Sequence, residues 1–414
     1  MKRFITPLVL ILTLVSSTSC SAETNTSENI DKESIYASMK KVIDWQLLHY
    51  NKQKREFETD DKKAYIALGE GDSDPLGWVY ASFHIGMDRW SKLADSKGDS
   101  QYLKLQYDYA KHYNYLLGPR IYNADDYAIG QLYLDLYEKY KEPEMLVPLK
   151  VIFDTILQSP STVGLEIEVI DQVSKISGQI IKDSYAGLAS TLVPAKNRWS
   201  WADAIFMGPP VWIHLAKITG DDKYLEFADK EFWQTVNLLW DEDDQLFYRD
   251  SRFFDRREEN GQKVIWARGV GWVAAGLARI LEHLPEDHAK RAKYEDIFVK
   301  LMTRLAGAQQ SDGLWRPSVL APESQPYRET SGTALMAYGY AFGINNGLLD
   351  KEKFQPVVDK AWLALVDSIQ DSGKLGWVQQ IGYKPESVTE DDTQIFAIGA
   401  FLLTGSEMYK LANK

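Results

Sequence analysis

From Glu33 onward, apolar side chains recur at the three- and four-residue spacing of a helix, and no convincing run alternates as a strand would. Ile35, Met39, Val42, Ile43, Leu47 and Leu48 mark the first face. Others run over Trp78 to Leu93, Tyr102 to Leu117, Gly130 to Tyr140, Met145 to Leu157, Val211 to Ile218 and Tyr224 to Leu239. Gly271 to Leu284, Tyr294 to Ala308, Gly332 to Gly343, Phe354 to Ile369 and Thr393 to Leu403 complete a series of about a dozen. The junctions repeat. Gly98-Asp99-Ser100-Gln101-Tyr102-Leu103 resembles Gly220-Asp221-Asp222-Lys223-Tyr224-Leu225, in which a glycine stops one helix and an acid opens the next. Asp244 to Tyr248, Asp312 to Trp315 and Gly373 to Trp377 each place a turn and then an aromatic after a helix pair. Such recurrence, every 50–70 residues or about that, predicts an all-α ring of roughly six helical hairpins, with an α-solenoid as the alternative. Short loops on one side and long aromatic ones on the other favour the ring, with a cleft at one end. No Pro/Gly/Ser-rich linker interrupts 33–414, which reads as a single domain.

The N-terminus has a different character. Met1-Lys2-Arg3 is basic, and Phe4 to Val15 is apolar but too short for an ordinary membrane span. Ser16-Ser17-Thr18-Ser19-Cys20 follows and resembles a bacterial lipoprotein cleavage site, with ordinary secretion as the alternative. Residues 1–20 are therefore expected to be a signal peptide and 21–32 a polar tether. The protein is expected to be exported to the periplasm or the cell surface, with a possible lipid anchor at Cys20 as its membrane contact. Cys20 is the single cysteine, so no intramolecular disulfide is possible. A net charge of −12 argues against a nucleic-acid partner, because nothing would neutralise phosphates. The 13 Trp and 23 Tyr are more than a core needs and suit a cleft that stacks on flat sugar rings. A helical core that simply uses aromatics is the plainer reading.

Carboxylates are the candidate chemistry. Asp203 lies in Arg198-Trp199-Ser200-Trp201-Ala202-Asp203-Ala204-Ile205-Phe206-Met207-Gly208-Pro209-Pro210. Apolar and aromatic neighbours strip solvent from a carboxyl and raise its pKa, which keeps a proton available near neutral pH. The competing reading is a helix cap, since Pro209-Pro210 marks a helix start nearby. Asp125 and Asp126, between Tyr122 and Tyr127, read as a cap or as the second acid of a sugar site. In Trp266-Ala267-Arg268-Gly269-Val270-Gly271-Trp272, an Arg flanked by two Trp suits a sugar carboxylate, with a structural Arg–Asp pair as the alternative. Tyr327 to Thr333 reads as a capping cluster or a cleft wall. The six His form no HExxH, and no metal or cofactor is expected. His84 and His214 sit in apolar helices as core or cleft residues. The charged run Asp250 to Lys263 reads as a solvated loop.

Together these stretches resemble the unsaturated glucuronyl and rhamnogalacturonyl hydrolases of glycoside hydrolase families 88 and 105, the latter more closely. The resemblance rests on Trp201 to Pro210, Trp266 to Trp272, Glu329-Thr330-Ser331-Gly332-Thr333, Asn123-Ala124-Asp125 with Gly130, and Phe401 to Glu407. Val270 stands where the family often has Asn, and a pocket His of some members has no clear counterpart. The resemblance implies an (α/α)6 barrel. It also implies an enzyme that removes a 4,5-unsaturated uronic acid from polysaccharide-lyase products by hydrating its vinyl ether, with uronyl-rhamnose oligosaccharides of ulvan or rhamnogalacturonan as the expected substrates. Asp203 matches the general acid/base and Asp125 the second acid. Trp266, Arg268 and Trp272 match sugar-binding positions, and Trp201, Asp126 and His84 are expected substrate neighbours. The rival readings are an inverting glycosidase on saturated sugars, an epimerase on the same barrel, and a surface glycan-binding lipoprotein without catalysis.

Overall fold

The computed structural model describes residues 30–50, 74–167 and 193–412, so Cys20 and the expected signal peptide lie outside the described residues. In chain order the helices are α1 (Lys32–His49), α2 (Trp78–Ser96), α3 (Gln101–His112), α4 (Gly130–Tyr140), α5 (Val147–Gln158), the single turn α6 (Ala204–Met207) and α7 (Pro209–Thr219). Next come α8 (Asp222–Leu239), α9 (Ala267–His283), α10 (Arg291–Ala306), α11 (Thr330–Asn345), α12 (Lys351–Asp367) and α13 (Ile395–Leu411). Among the described residues, β1 (Trp240–Asp241) and β2 (Leu246–Phe247) form one short antiparallel pair, with Trp240 opposite Phe247. No helix there is long and apolar enough to cross a membrane.

Burial sorts the long helices into two shells. In α11 every residue from Thr330 to Ile344 is buried, and α13 is almost as enclosed. A helix apolar on all sides has no face to offer water and must lie inside. By contrast α1 buries one stripe, Ile35, Met39, Val42, Ile43 and Gln46. The inner shell is α2, α4, α7, α9, α11 and α13, and the outer shell is α1, α3, α5, α8, α10 and α12. Each inner helix packs on the next, and α13 returns to pack on α2. That closure excludes the solenoid and makes the molecule an (α/α)6 barrel. At the closing seam the backbones touch. A Cβ on Gly86 would lie 2.0 Å from the carbonyl oxygen of Gly399, and one on Gly399 would lie 2.0 Å from that of Ser82.

The repeated junctions work as their sequence predicts. Gly98 and Gly220 adopt φ of 89° and 69°, the left-handed conformation that ends a helix. Asp221 then accepts a hydrogen bond from the Lys223 amide at 3.3 Å. The charged run divides. Asp255 to Gly261 is largely exposed, but Asp250 is fully buried between Arg249 and Arg252, which corrects the reading of this end as solvated.

Alternation of outer and inner helices makes the inner six parallel, so like ends meet. At one rim Trp78, which opens α2, lies 5.3 Å from Phe396 near the start of α13. At the other, Arg279 of α9 binds Asp135 of α4 at 3.0 Å and Glu282 at 2.7 Å, and Arg89 of α2 binds Glu282 at 2.8 Å. His214 stacks on His283 there with ring centres 3.7 Å apart. Asp135, His214 and His283 each offer a ligand atom within 4.8 Å of the others. Asp135 is already committed to Arg279 and lies 3.6 Å from Lys92, so its charge is taken up by cations.

This rim sets an acid limit on stability. Burial holds His283 well below the usual histidine range, and the adjacent His214 and Arg89 add to this against the pull of Glu282. The unfolded chain therefore binds a proton first as pH falls through about 6.5. Glu282 is held down to about 2, with Arg89 the largest favourable influence against burial, so its contribution disappears below the ordinary carboxylate range. Both effects have one sign. The denaturant midpoint should fall steadily from pH 7 to pH 4, and a flat profile would show that the buried pair does not titrate on unfolding.

Candidate active site

The N-terminal rim gathers the sequence-predicted acids. Asn123 caps the turn Ala124–Asp126 by accepting from the Asp125 amide at 3.0 Å, and that turn packs on α6. The Ala202 amide donates to the Arg249 carbonyl at 2.8 Å, and Trp201 pairs with Asp250 as an isolated bridge. These bonds pin Asp203 at the entry to α6. Its side chain makes no capping hydrogen bond, so the cap reading fails. The carboxylate instead faces Arg249, with Nε 3.4 Å from Oδ2, and keeps 13 % of its side-chain surface. Burial pushes the Asp203 carboxyl above the ordinary range, although Arg249, Arg268 and Lys196 all pull the other way. Asp125 is pushed up as well, chiefly by burial and further by the charge of Asp203, against Arg120, Lys196 and Arg249. Burial and the neighbouring carboxylate both favour the protonated form of Asp125, and burial favours that of Asp203.

Arg268 opens α9 across from them. Its guanidinium donates to the carbonyls of Gln379 at 2.6 Å and Gln380 at 2.8 Å, and it lies between the rings of Trp266 (4.5 Å) and Phe396 (4.9 Å). Burial lowers its pKa to about 10. It makes no ion pair among the described residues, so the structural Arg–Asp pair is not formed, and its buried Nε has no hydrogen-bond partner. Close backbone packing makes room for it: a Cβ on Gly332 would lie 2.9 Å from the Arg268 nitrogen. Glu329 caps α11 through the amides of Ser331 (2.9 Å) and Gly332 (2.7 Å), which makes Glu329 to Thr333 a capping cluster. Trp266 donates to Gln379 Oε1 at 2.9 Å. Trp201, Trp266 and Trp272 are each only 1 % exposed, so the three indoles form walls rather than open stacking platforms.

Two expected substrate neighbours have their polar groups engaged within the protein. Asp126 is buried and accepts from the Arg120 amide at 2.6 Å and its guanidinium at 2.6 Å, which fixes the loop behind Asp125. His84 lies between α2 and the outer helices, where Nδ1 meets Gln106 Oε1 at 2.6 Å, Nε2 meets the Tyr50 hydroxyl at 3.2 Å, and the ring stacks on Tyr109. Burial lowers its pKa to about 4, so it stays neutral. No contact joins it to either acid. Conversely, Arg249, Lys196 and the Gln379-Gln380 backbone reach the site without any motif to announce them. The Arg249-Asp250-Ser251-Arg252 alternation was the one available signal, since an acid between two arginines suits a buried cluster.

A helical toroid with two raised carboxyls among tryptophans and arginines at one rim has the form of a sugar-processing enzyme. Glycosyl Hydrolase Family 88 matches residues 38–412, and the chain belongs to that family and is a glycoside hydrolase. It is similar to an unsaturated 3S-rhamnoglycuronyl hydrolase of Alteromonas sp. (strain LOR), 39% identical over 80% of this chain and 77% of the relative. A second protein of that description, from Formosa agariphila, is 33% identical over 97% of this chain and 98% of its own length. Among solved structures, a glycosyl hydrolase family 88 protein from Bacteroides vulgatus superposes with a TM-score of 0.71 at 26% identity, covering 92% of this chain and 99% of the other.

Proposed function

We propose that this enzyme removes the unsaturated uronic acid from the non-reducing end of polysaccharide-lyase products by hydrating the C4=C5 double bond. The observation that carries the mechanism is Asp203, a carboxyl raised by burial that caps nothing and points into the rim. Its proton passes to C4, and the π electrons form the new C–H bond. The ring oxygen shares the positive charge left at C5. Water adds at C5 and returns a proton to the Asp203 carboxylate. The C5 hemiketal then opens to a ketone, which leaves C1 as a hemiacetal that releases the next sugar. Asp125 positions the sugar or the water. Arg268 serves the uronate carboxylate with the N–H groups its carbonyl partners leave over, and Trp201, Trp266 and Trp272 shape the slot. Asp126 and His84 support that slot through Arg120 and the α2–α3 packing. The names of the two relatives support rhamnose as the adjoining sugar, with ulvan or rhamnogalacturonan as the parent glycan.

The conjugated double bond absorbs in the ultraviolet, and hydration destroys that chromophore. Purified protein should bleach lyase-generated uronyl-rhamnose oligosaccharides. Unchanged absorbance across pectic, ulvan and glycosaminoglycan products would refute the reading, and rising absorbance would point to elimination instead. We also propose export, with an anchor at Cys20, on the strength of the basic, apolar and small-residue order of Met1 to Cys20. Detergent-phase partitioning that persists in Cys20→Ala would remove the anchor.

A further inference from the structure

Lys196 is the cation at this rim that the chemistry above leaves idle. It sits in the turn Pro194–Asn197, is 8 % exposed, and carries its ammonium 5.4 Å over the ring of Trp201. Its neighbours are spoken for. Arg120 is bonded to Asp126, Arg249 and Arg252 to Asp250, and Arg268 to the two carbonyls. The Lys196 ammonium makes no hydrogen bond or ion pair among the described residues. Asp125 attracts it from beyond ion-pair distance, while Arg249, Arg252 and Arg120 repel it, and burial together with these charges lowers its pKa to about 8. An enclosed ammonium without a counter-ion is costly to hold, and a bound anion removes that cost.

We propose that Lys196 is an anion receptor in the active site that takes an anionic oxygen group of the bound saccharide. This deepens the reading above and rests on it. A lysine ammonium is a compact point charge and accepts oxygens without the planar match that a guanidinium demands. Two sources share that chemistry, the uronate carboxylate and a sulfate ester on the adjoining sugar. Either one accepts hydrogen bonds from the ammonium that stands over Trp201, and leaves Arg249 to Asp203.

The test uses the full mature protein and unsaturated uronyl-rhamnose disaccharides with and without a sulfate ester. In Lys196→Met, a charge-assisted hydrogen bond is lost and KM should rise about 10- to 100-fold. A rise confined to the sulfated substrate identifies the ester, and an equal rise for both identifies the carboxylate. A second measurement does not depend on that variant folding. Inorganic sulfate should inhibit wild type competitively. Its inhibition should weaken as pH rises through about 8, because the ammonium deprotonates there. In Lys196→Arg it should persist to higher pH, since guanidinium keeps its charge. Wild type that bleaches substrate while Lys196→Met keeps its KM for both sugars, or sulfate inhibition with the same pH dependence in Lys196→Arg, would overturn the receptor and leave the hydrolase standing. Wild type that bleaches nothing would instead defeat the reading on which the receptor rests.

Discussion

Asp203→Asn should lower kcat/KM for chromophore loss by about 10³-fold or more, because an amide cannot deliver a proton to carbon. Thermal stability should hold or rise. Burial makes the anion the costly form of this side chain, and Asn keeps its shape without the charge. Arg249 retains Asp250 as a partner, so the substitution does not strand it. The wild-type pH profile follows from the same direction of shift. The resting enzyme needs Asp203 protonated, so kcat/KM should fall as pH rises past its raised pKa. Paired activity and melting curves check both parts. A variant that loses stability in step with activity would show that Asp203 supports the fold rather than the reaction.

Arg279→Ala should have the opposite profile. Arg279 is fully buried and binds Asp135, Glu282 and Gln131 at the far rim. Removing one partner of a buried ion-pair network leaves uncompensated charge and costs about 3–5 kcal/mol. Arg89 and Lys92 still reach Asp135, which places the expected loss near 3 kcal/mol, about the lower end of that range. Denaturant titration should show it as a lower midpoint, while folded protein well below the transition keeps its kcat/KM. An unchanged midpoint would mean that the remaining cations fully replace the guanidinium.

The contrast shows why some of this protein was legible in its sequence and some was not. Periodic apolar faces predicted the outer helices, each of which buries one stripe, the inner ones showed as near-continuous apolar runs, and the glycine-acid junctions marked where α2 and α7 stop. Asp203 was readable because its aromatic neighbours are also its neighbours in the chain. Arg249 was not, since it meets Asp203 across an interval that no local pattern spans, and Lys196 was not, since nothing in its own stretch tells that its ammonium turns onto Trp201 and lacks a partner. Asp250 was misread for a related reason. Its two arginines make the stretch look solvated, whereas their pairing is what allows it to be buried. His84 lies in an apolar helix, and periodicity does not say whether such a residue faces the ring's interior or the layer between shells. The tryptophan count suggested open platforms, and the fold spends most of their surface on walls.

The parallel inner helices have an electrostatic consequence. Each helix carries a dipole equivalent to roughly half a positive charge at its N-terminus. Asp125 and Asp203 precede α4 and α7, Arg268 and Glu329 open α9 and α11, and α2 and α13 begin beside them. Six positive helix ends therefore surround one slot in a protein whose net charge is −12. An acidic sugar is met by a local field of the opposite sign to that of the whole surface, built largely from backbone amides. At the far rim, where the negative ends lie, Arg89, Lys92, Arg279 and Lys410 are each paired with a carboxylate, Glu282, Asp88, Asp135 and Glu407 in turn. The inner-helix dipoles add along the axis of the toroid, with the candidate site at their positive end.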